Sequence, residues 1–192
     1  MQKKNSMKIN EKGQIWVQER KISPIWYSFL SMVFVVTISN YLVQFPINDW
    51  LTWGSFLYPV SFLVTELTNL FFGPKTARKV VYVGFFVGVL LSTYFATPNI
   101  ALASGFAFLV SQLLDIFIFT RIRQSSWWYA PLVASTIASM IDASIYWSIA
   151  FWGEGVPLWT WAAGDTAVKL LLDIVLLAPF RMIITRQKLG YT

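Results

Sequence analysis

Six apolar runs, at residues 26–45, 55–72, 80–97, 101–120, 128–151 and 158–180, fill most of a 192-residue chain. A helix rising 1.5 Å per residue needs about 20 such residues to cross the hydrocarbon core of a bilayer. Each run is therefore of membrane-span size, the second and third being the shortest. The connectors "PINDWLTWG", "GPKTARK", "TPNIA", "RIRQSSW" and "WGEGVPL" are short and rich in Pro, Gly, Asn, Ser or charge, as turns between antiparallel helices are. The runs lack the period-two alternation of a membrane β-barrel. The expected fold is all-α: a six-helix transmembrane bundle over 26–185, with a polar segment at 1–25 and a short tail at 186–192. The first run is too long for a signal-peptide core and reads as an uncleaved first helix.

The charges give the bundle a direction. Only 12% of residues are charged, against about 25% in soluble domains. Lys3, Lys4, Lys8, Lys12, Arg20 and Lys21 precede the first run, and Lys75, Arg78 and Lys79 lie in the second connector. Arg121 and Arg123 lie in the fourth connector, and Arg181, Arg186 and Lys188 follow the last run. Six passes put all of these on one side and Asp49 and Glu154 on the other, which predicts both termini in the cytoplasm. The net charge of +6 is then a topology signal, and no nucleic-acid partner is expected. Trp50, Trp53, Trp127, Trp128, Trp152, Trp159 and Trp161 fall near run ends, where indole favours the bilayer interface.

Cysteine and histidine are absent, which removes the disulfide, the thiol nucleophile, the commonest general base and the usual zinc ligands. No metal, cofactor or catalytic residue is expected, and the chain is read as a non-enzyme. No G-x-x-x-x-G-K-[ST] loop is present, so ATP is not hydrolysed by that device.

What remains is charge inside the runs, at a cost on the order of 3 kcal/mol per group. Glu66, Asp115, Asp142, Asp165, Lys169 and Asp173 carry it. Glu66 lies about 11 residues in from the outer face, roughly 16 Å, and Asp115, Asp142 and Lys169 also bracket the midplane, where transporter sites lie. Glu66 and Asn69 share a helix face, as do Gln112 and Asp115. Ser135, Ser139, Asp142 and Tyr146 form a stripe on the fifth span. Asp165, Lys169 and Asp173 form a ladder of opposite charge on the sixth. No cation lies within a helical turn of Glu66, Asp115 or Asp142, and three unpaired carboxylates on three helices imply a shared polar cavity. Such a cavity can bind a cation, relay protons, or accept hydrogen bonds from an N–H-rich ligand. Phe62, Phe106, Tyr146 and Trp147 are the stacking candidates for a flat ligand, and Asn69 and Gln112 serve equally as interhelical hydrogen-bond glue. A homodimer would help to cover the polar residues.

"YPVSFLVTELTNLFFGPKTARKVVYVGF", "ALASGFAFLVSQLLDIFIFTRIR", "STIASMIDASIYWSIAF" and "GDTAVKLLLDIVLLAPFR" resemble the queuosine precursor transporters, a vitamin-uptake-transporter-like family. The similarity runs from about Gly54 to Arg181. It implies six helices, a bacterial inner membrane, and import of 7-cyano- or 7-aminomethyl-7-deazaguanine for queuosine in tRNA. Position by position, it assigns substrate binding to Glu66 and Asn69, to Gln112 and Asp115, to Asp142 and to Lys169. The family more often has Asp where Glu66 stands and Thr where Ala143 stands. On this reading one or two of Glu66, Asp115 and Asp142 accept the pyrimidine-ring N–H edge, with Gln112 and Asn69 on its other polar atoms and Tyr146 as a lining residue. A facilitator, a proton-coupled carrier and a subunit docked to an ATP-driven module all fit, as does a carrier of another vitamin or nucleobase. An intramembrane scaffold or enzyme is the remaining class. Tyr58-Pro59 and Tyr129-Ala130-Pro131 open the middle helix of each half, as a 3+3 inverted repeat would have it.

Overall fold

The computed structural model describes residues 5–9, 15–19 and 25–189. Two strands, β1 (Asn5–Ile9) and β2 (Ile15–Glu19), precede α1 (Trp26–Leu42), α2 (Trp53–Leu57), α3 (Val60–Phe72), α4 (Pro74–Phe95), α5 (Pro98–Ile122), α6 (Tyr129–Ala150) and α7 (Leu158–Leu189). Every apolar run is helical. The first segment adds an antiparallel hairpin to the expected all-α fold, with Met7 opposite Val17 and Ile9 opposite Ile15, and β1 lies against α7. Of the cations expected at the N-terminus, Lys3, Lys4, Lys12, Arg20 and Lys21 lie outside the described residues, as do residues 190–192.

Proline and glycine place the breaks. Pro59 has no N–H to donate and its ring crowds the carbonyl one turn earlier, so the run Trp53–Phe72 is split into α2 and α3. Ser61 Oγ donates to the Tyr58 carbonyl at 2.7 Å across that break. Gly73, at φ 83°, ends α3 and begins α4 by itself, a left-handed conformation that glycine adopts without penalty. The second connector is therefore one residue long. Lys75, Arg78 and Lys79, expected in a loop, occupy the first turns of α4, because Pro74 is well suited to a first helical position.

Side-chain pairings set the helix directions. Met32 lies against Gly84, Val36 against Gly88, and Ser92 bonds Asn40, so α1 and α4 run parallel. Phe108 approaches Gly84 and Val89 approaches Gly105, so α5 runs against α4. Ser61 and Thr65 bond Gln112 while Asn69 bonds Thr120, which makes α3 parallel to α5. Ser111 bonds Asp142 and Phe119 packs with Ala130 and Ala134, so α6 opposes α5. Asp142 pairs with Lys169 and Ser139 bonds Asp173, so α7 opposes α6. The six runs thus alternate in direction. That alternation collects Lys75, Arg78, Lys79, Arg121, Arg123, Arg181 and Arg186 at one end, where Arg181 stacks on Trp127 at 4.8 Å. The connectors holding Asp49 and Glu154 are at the other end.

Polarity is inverted relative to a water-soluble protein. Phe86 and Leu90 are 66% and 71% exposed, while Glu66, Asp115, Asp142, Asp165, Lys169 and Asp173 are all buried. The helical runs Trp53–Phe72, Pro74–Phe95, Pro98–Ile122 and Tyr129–Ala150 are long and apolar enough to cross a membrane. The helix α1 is shorter, at 17 residues, and α7 carries three buried charges in its first half. Apolar clusters flank the buried charges: Leu63, Phe119, Ala134 and Phe180 on one side, and Met32, Val80, Val81 and Ile116 on another.

Gly84 and Gly88 form the small-residue face on which α1 rests, the spacing that lets membrane helices approach closely. A Cβ at Gly84 would sit 2.7 Å from Met32 Cγ. Gly84→Leu therefore overpacks the α1–α4–α5 junction by about 1–3 kcal/mol. The melting temperature in detergent is expected to fall, while Leu90→Phe on the exposed face of α4 leaves it unchanged.

Candidate functional site

A polar seam runs along the interior between α3 and α5 on one side and α6 and α7 on the other. At the end where α3 and α7 begin, Lys169 Nζ donates to Asp165 Oδ2 at 2.6 Å and to Asp142 Oδ2 at 2.8 Å. The Tyr58 hydroxyl donates to Asp142 Oδ1 at 2.7 Å, and Ser111 Oγ donates to the same oxygen at 3.2 Å. The Tyr58 ring lies 5.2 Å from the ammonium, within cation–π range. Lys169 is only 5% exposed, so this group holds two negative charges and one positive charge away from water.

That arrangement corrects two expectations. Asp142 is not unpaired: its cation comes from the neighbouring helix, 27 residues away. Nor does Asp173 complete a ladder with Lys169; its Oδ2 accepts from Ser139 at 3.2 Å. A lysine reaches its own helix and the antiparallel neighbour at once, whereas spacing along the sequence reveals only the first.

Farther along the seam, Glu66 of α3 and Asp115 of α5 face each other within hydrogen-bonding reach. They are 3% and 0% exposed. Three of their four carboxylate oxygens, Glu66 Oε1 and both of Asp115, are buried with no hydrogen-bond donor. Asp173 and Ser135 share with Glu66 a void of about 10 Å³, walled also by Pro59 and Pro131. Buried acceptors without donors are a large free-energy liability, so this pair is incomplete as it stands.

Asn69 and Gln112 have no such deficit. Thr65 Oγ1 donates to Gln112 Oε1 at 2.6 Å, and Gln112 Nε2 donates to Ser61 Oγ at 2.7 Å. Asn69 Nδ2 donates to Thr120 Oγ1 at 2.9 Å and to the Ile116 carbonyl at 3.2 Å. Both amides clamp α3 to α5 and hold Glu66 opposite Asp115. Tyr146 stands apart from that pair, in an aromatic cluster with Trp147, Phe151 and Trp161 near the Asp165 end. Trp50 packs on Gly164 there, and it and Trp161 are half-buried against the cluster of Ala143, Trp147 and Ala162, while Trp53, Trp128, Trp152 and Trp159 are exposed at helix ends. Phe106 is exposed and Phe62 is core.

Sequence reasoning missed Tyr58, Ser61, Thr65, Ser111 and Thr120 as members of the seam. Ser61, Thr65 and Asn69 are spaced four apart, a polar stripe along α3 that the sequence does display. Tyr58 carries no such signal.

The seam is closed. A cavity of about 50 Å³ adjoins Tyr58 and Ser61 between α1, α4 and α5, with Ser39, Asn40 and Ser92 on its wall. Small-molecule pockets are typically about 300–1,000 Å³, so a bicyclic ligand requires the helices to part. A groove of about 500 Å³ between α4 and α5 is lined by apolar residues such as Phe85, Leu102 and Phe106, and no buried carboxylate reaches it.

Two segments of the chain, 52–97 and 92–184, match the family described as "Putative vitamin uptake transporter". The chain is 34% identical over 203 residues to the "Probable queuosine precursor transporter" of Haemophilus influenzae, covering 84% of this chain and 86% of that protein. It is 29% identical over 194 residues to the "Queuosine precursor transporter" of Escherichia coli, covering 86% and 88%. With the "Probable queuosine precursor transporter" of Bacillus subtilis it shares 27% identity over 157 residues, 67% and 68% of the two chains. No solved structure matches.

Removing one partner of a buried ion pair costs about 3–5 kcal/mol, because the other charge is left uncompensated. Lys169→Met strands both Asp142 and Asp165, and is expected to lower folded protein in the membrane and the melting temperature in detergent. Adding Asp142→Asn and Asp165→Asn to that variant recovers most of the loss.

Proposed function

The chain belongs to the family described as "Putative vitamin uptake transporter", and from that premise we propose that it imports queuosine precursors across the bacterial inner membrane. The relatives named as queuosine precursor transporters supply the substrate class. For 7-cyano- or 7-aminomethyl-7-deazaguanine the edge to be recognised is an aminopyrimidinone: a carbonyl oxygen, a ring N–H and an exocyclic NH₂. One observation carries the site assignment, namely that Glu66 and Asp115 bury three carboxylate oxygens with no donor. A ligand edge with adjacent N–H donors is their complement, since one carboxylate accepts two such donors side by side.

The other candidate residues take supporting roles. Gln112 and Asn69 fix the separation of α3 and α5 through the Thr65, Ser61 and Thr120 hydroxyls, which positions the two acids. Asp142, Lys169 and Tyr146 line the route at the Asp165 end, where the ion pairs keep it polar without an unpaired cation. Alternation of the six helical runs supports six passes, and the clustering of Lys75, Arg78, Lys79, Arg121, Arg123, Arg181 and Arg186 at one end supports cytoplasmic termini. Pro59 precedes α3 and Pro131 lies in the first turn of α6, and both line one void; prolines opening the middle helix of each half support a 3+3 inverted repeat.

Two experiments test this reading. Queuosine in tRNA is measured in a bacterial strain that neither makes nor imports the precursor, supplied with 7-cyano-7-deazaguanine. The natural chain restores queuosine, and Glu66→Gln combined with Asp115→Asn, which leaves neither carboxylate, abolishes it. Restoration by the double variant at equal membrane abundance overturns the site. For the topology, the absence of native cysteine makes single-cysteine labelling unambiguous. Asp49→Cys and Glu154→Cys should react with an impermeant maleimide in intact spheroplasts, and Arg78→Cys and Arg123→Cys only after lysis.

A further inference from the structure

Two ionised carboxylates in contact, away from water, repel each other and present acceptors to acceptors, so such pairs hold a proton between them. Among the described residues, nothing else near Glu66 and Asp115 answers that need. Asp173 of α7, the other titratable group facing them, adds negative charge. From α6 come only the hydroxyls of Ser135 and Ser139, with Asp142 farther along and already engaged by Lys169, Tyr58 and Ser111. The helix α1 contains no charged residue, and Lys75, Arg78 and Lys79 of α4 are exposed. Among the described residues no group of three or more acidic side chains is placed to hold a metal ion. The void beside Glu66, about 10 Å³, is at the lower limit for one water.

One proton on this pair also completes the recognition of the ligand. A carboxyl and a carboxylate together present one O–H donor and three acceptor oxygens. The aminopyrimidinone edge presents one carbonyl acceptor beside two N–H donors. The singly protonated pair matches it group for group: on binding, the acid turns its O–H from the partner carboxylate to the ligand carbonyl, and the carboxylate so released accepts from both N–H groups. The fully ionised pair leaves the carbonyl facing an acceptor, and the fully protonated pair lacks the charge-assisted bonds.

We propose that Glu66 and Asp115 share one proton, and that this singly protonated pair is the form that takes the deazaguanine edge, so that each base is bound together with a proton. The proposal rests on the assignment of that edge to these two residues. Binding is then linked to pH with a definite sign. Raising the pH strips the shared proton and removes the donor for the carbonyl, so affinity falls, approaching about tenfold per pH unit once the proton is lost. No covalent step is involved, and the proton travels as a bound ligand.

The test uses the full chain in nanodiscs with 7-cyano-7-deazaguanine, with affinity measured by calorimetry from about pH 6 to pH 9. The natural chain should lose at least about tenfold in affinity over that range. Glu66→Gln and Asp115→Asn each replace the shared proton with an amide N–H and keep one carboxylate. Both should bind with affinities that change less than about threefold over the same range. A flat profile for the natural chain, or single variants as steep as it, overturns the proposal, as does binding that requires sodium when choline replaces it. If the natural chain binds no base at any pH, the functional reading fails instead. The proton is then judged in the ligand-free protein by infrared difference spectroscopy. A carboxylic-acid C=O band lost in the double variant sustains the shared proton, and no such band refutes it.

Discussion

The ammonium of Lys169, held 2.6 Å from Asp165 and 2.8 Å from Asp142, is the interaction that allows the rest of this bundle to exist. Charge in hydrocarbon is tolerated only when paired and hydrogen-bonded. Here one cation serves a carboxylate on its own helix and another on α6, which ties α7 to α6 in register. The Tyr58 hydroxyl then extends the group to the α2–α3 break, and Ser111 extends it to α5. Four helical runs thereby converge on a single ion-pair group, and the apolar clusters pack around it.

Against that satisfied group, the second half of the seam stands out. Glu66 and Asp115 lie on helices locked together by amides whose oxygen and nitrogen are both bonded, yet three of their own oxygens have no donor. The contrast is chemical: one half of the seam is complete without a ligand, and the other is not. A fold that satisfies Gln112 and Asn69 so thoroughly has the polar side chains needed to satisfy two carboxylates, and it leaves these two open. The vacancy in hydrogen bonding is therefore local to the place where a donor-rich edge would fit.

Much of this was legible in the sequence, for a physical reason. Burial in a bilayer demands long apolar runs and tolerates few charges, so Glu66, Asp115, Asp142 and Lys169 stand out against their surroundings, and the cations mark which loops share one end of the bundle. Pairing between helices was less legible. The partner of Asp142 is 27 residues away, and nothing in the spacing of Asp165, Lys169 and Asp173 indicates that Asp173 turns to Ser139 instead. The bonding of Gln112 depends on Thr65 and Ser61, whose hydroxyls look like ordinary helix-packing residues. Lys75, Arg78 and Lys79 resembled a loop because cations and proline signal one, but Pro74 starts a helix as readily as it ends one. The hairpin Asn5–Ile9 with Ile15–Glu19 lay in a segment judged only by its polarity.

Opening this seam to a bicyclic base has to separate surfaces that differ greatly in how strongly they adhere. Within one wall, α3 and α5 are joined by Gln112 and Asn69 through both the oxygen and the nitrogen of each amide. Within the other, α6 and α7 are joined by the Lys169–Asp142 ion pair and the Ser139–Asp173 bond. Across the seam, Tyr58 and Ser111 bond Asp142, and both end on an oxygen that Lys169 does not use. Parting the walls therefore leaves Asp142 paired with its cation, and it exposes Glu66, Asp173 and Ser135 first, because their void already lies between Pro59 and Pro131. Pro59 interrupts the backbone ladder between α2 and α3, so the wall that holds Glu66 bends there with fewer backbone bonds to break. Pro131 lies in the first turn of α6, where its missing N–H costs no helical bond. The weak plane of the bundle thus coincides with its unsatisfied acids, which is where a ligand that supplies donors gains the most by entering.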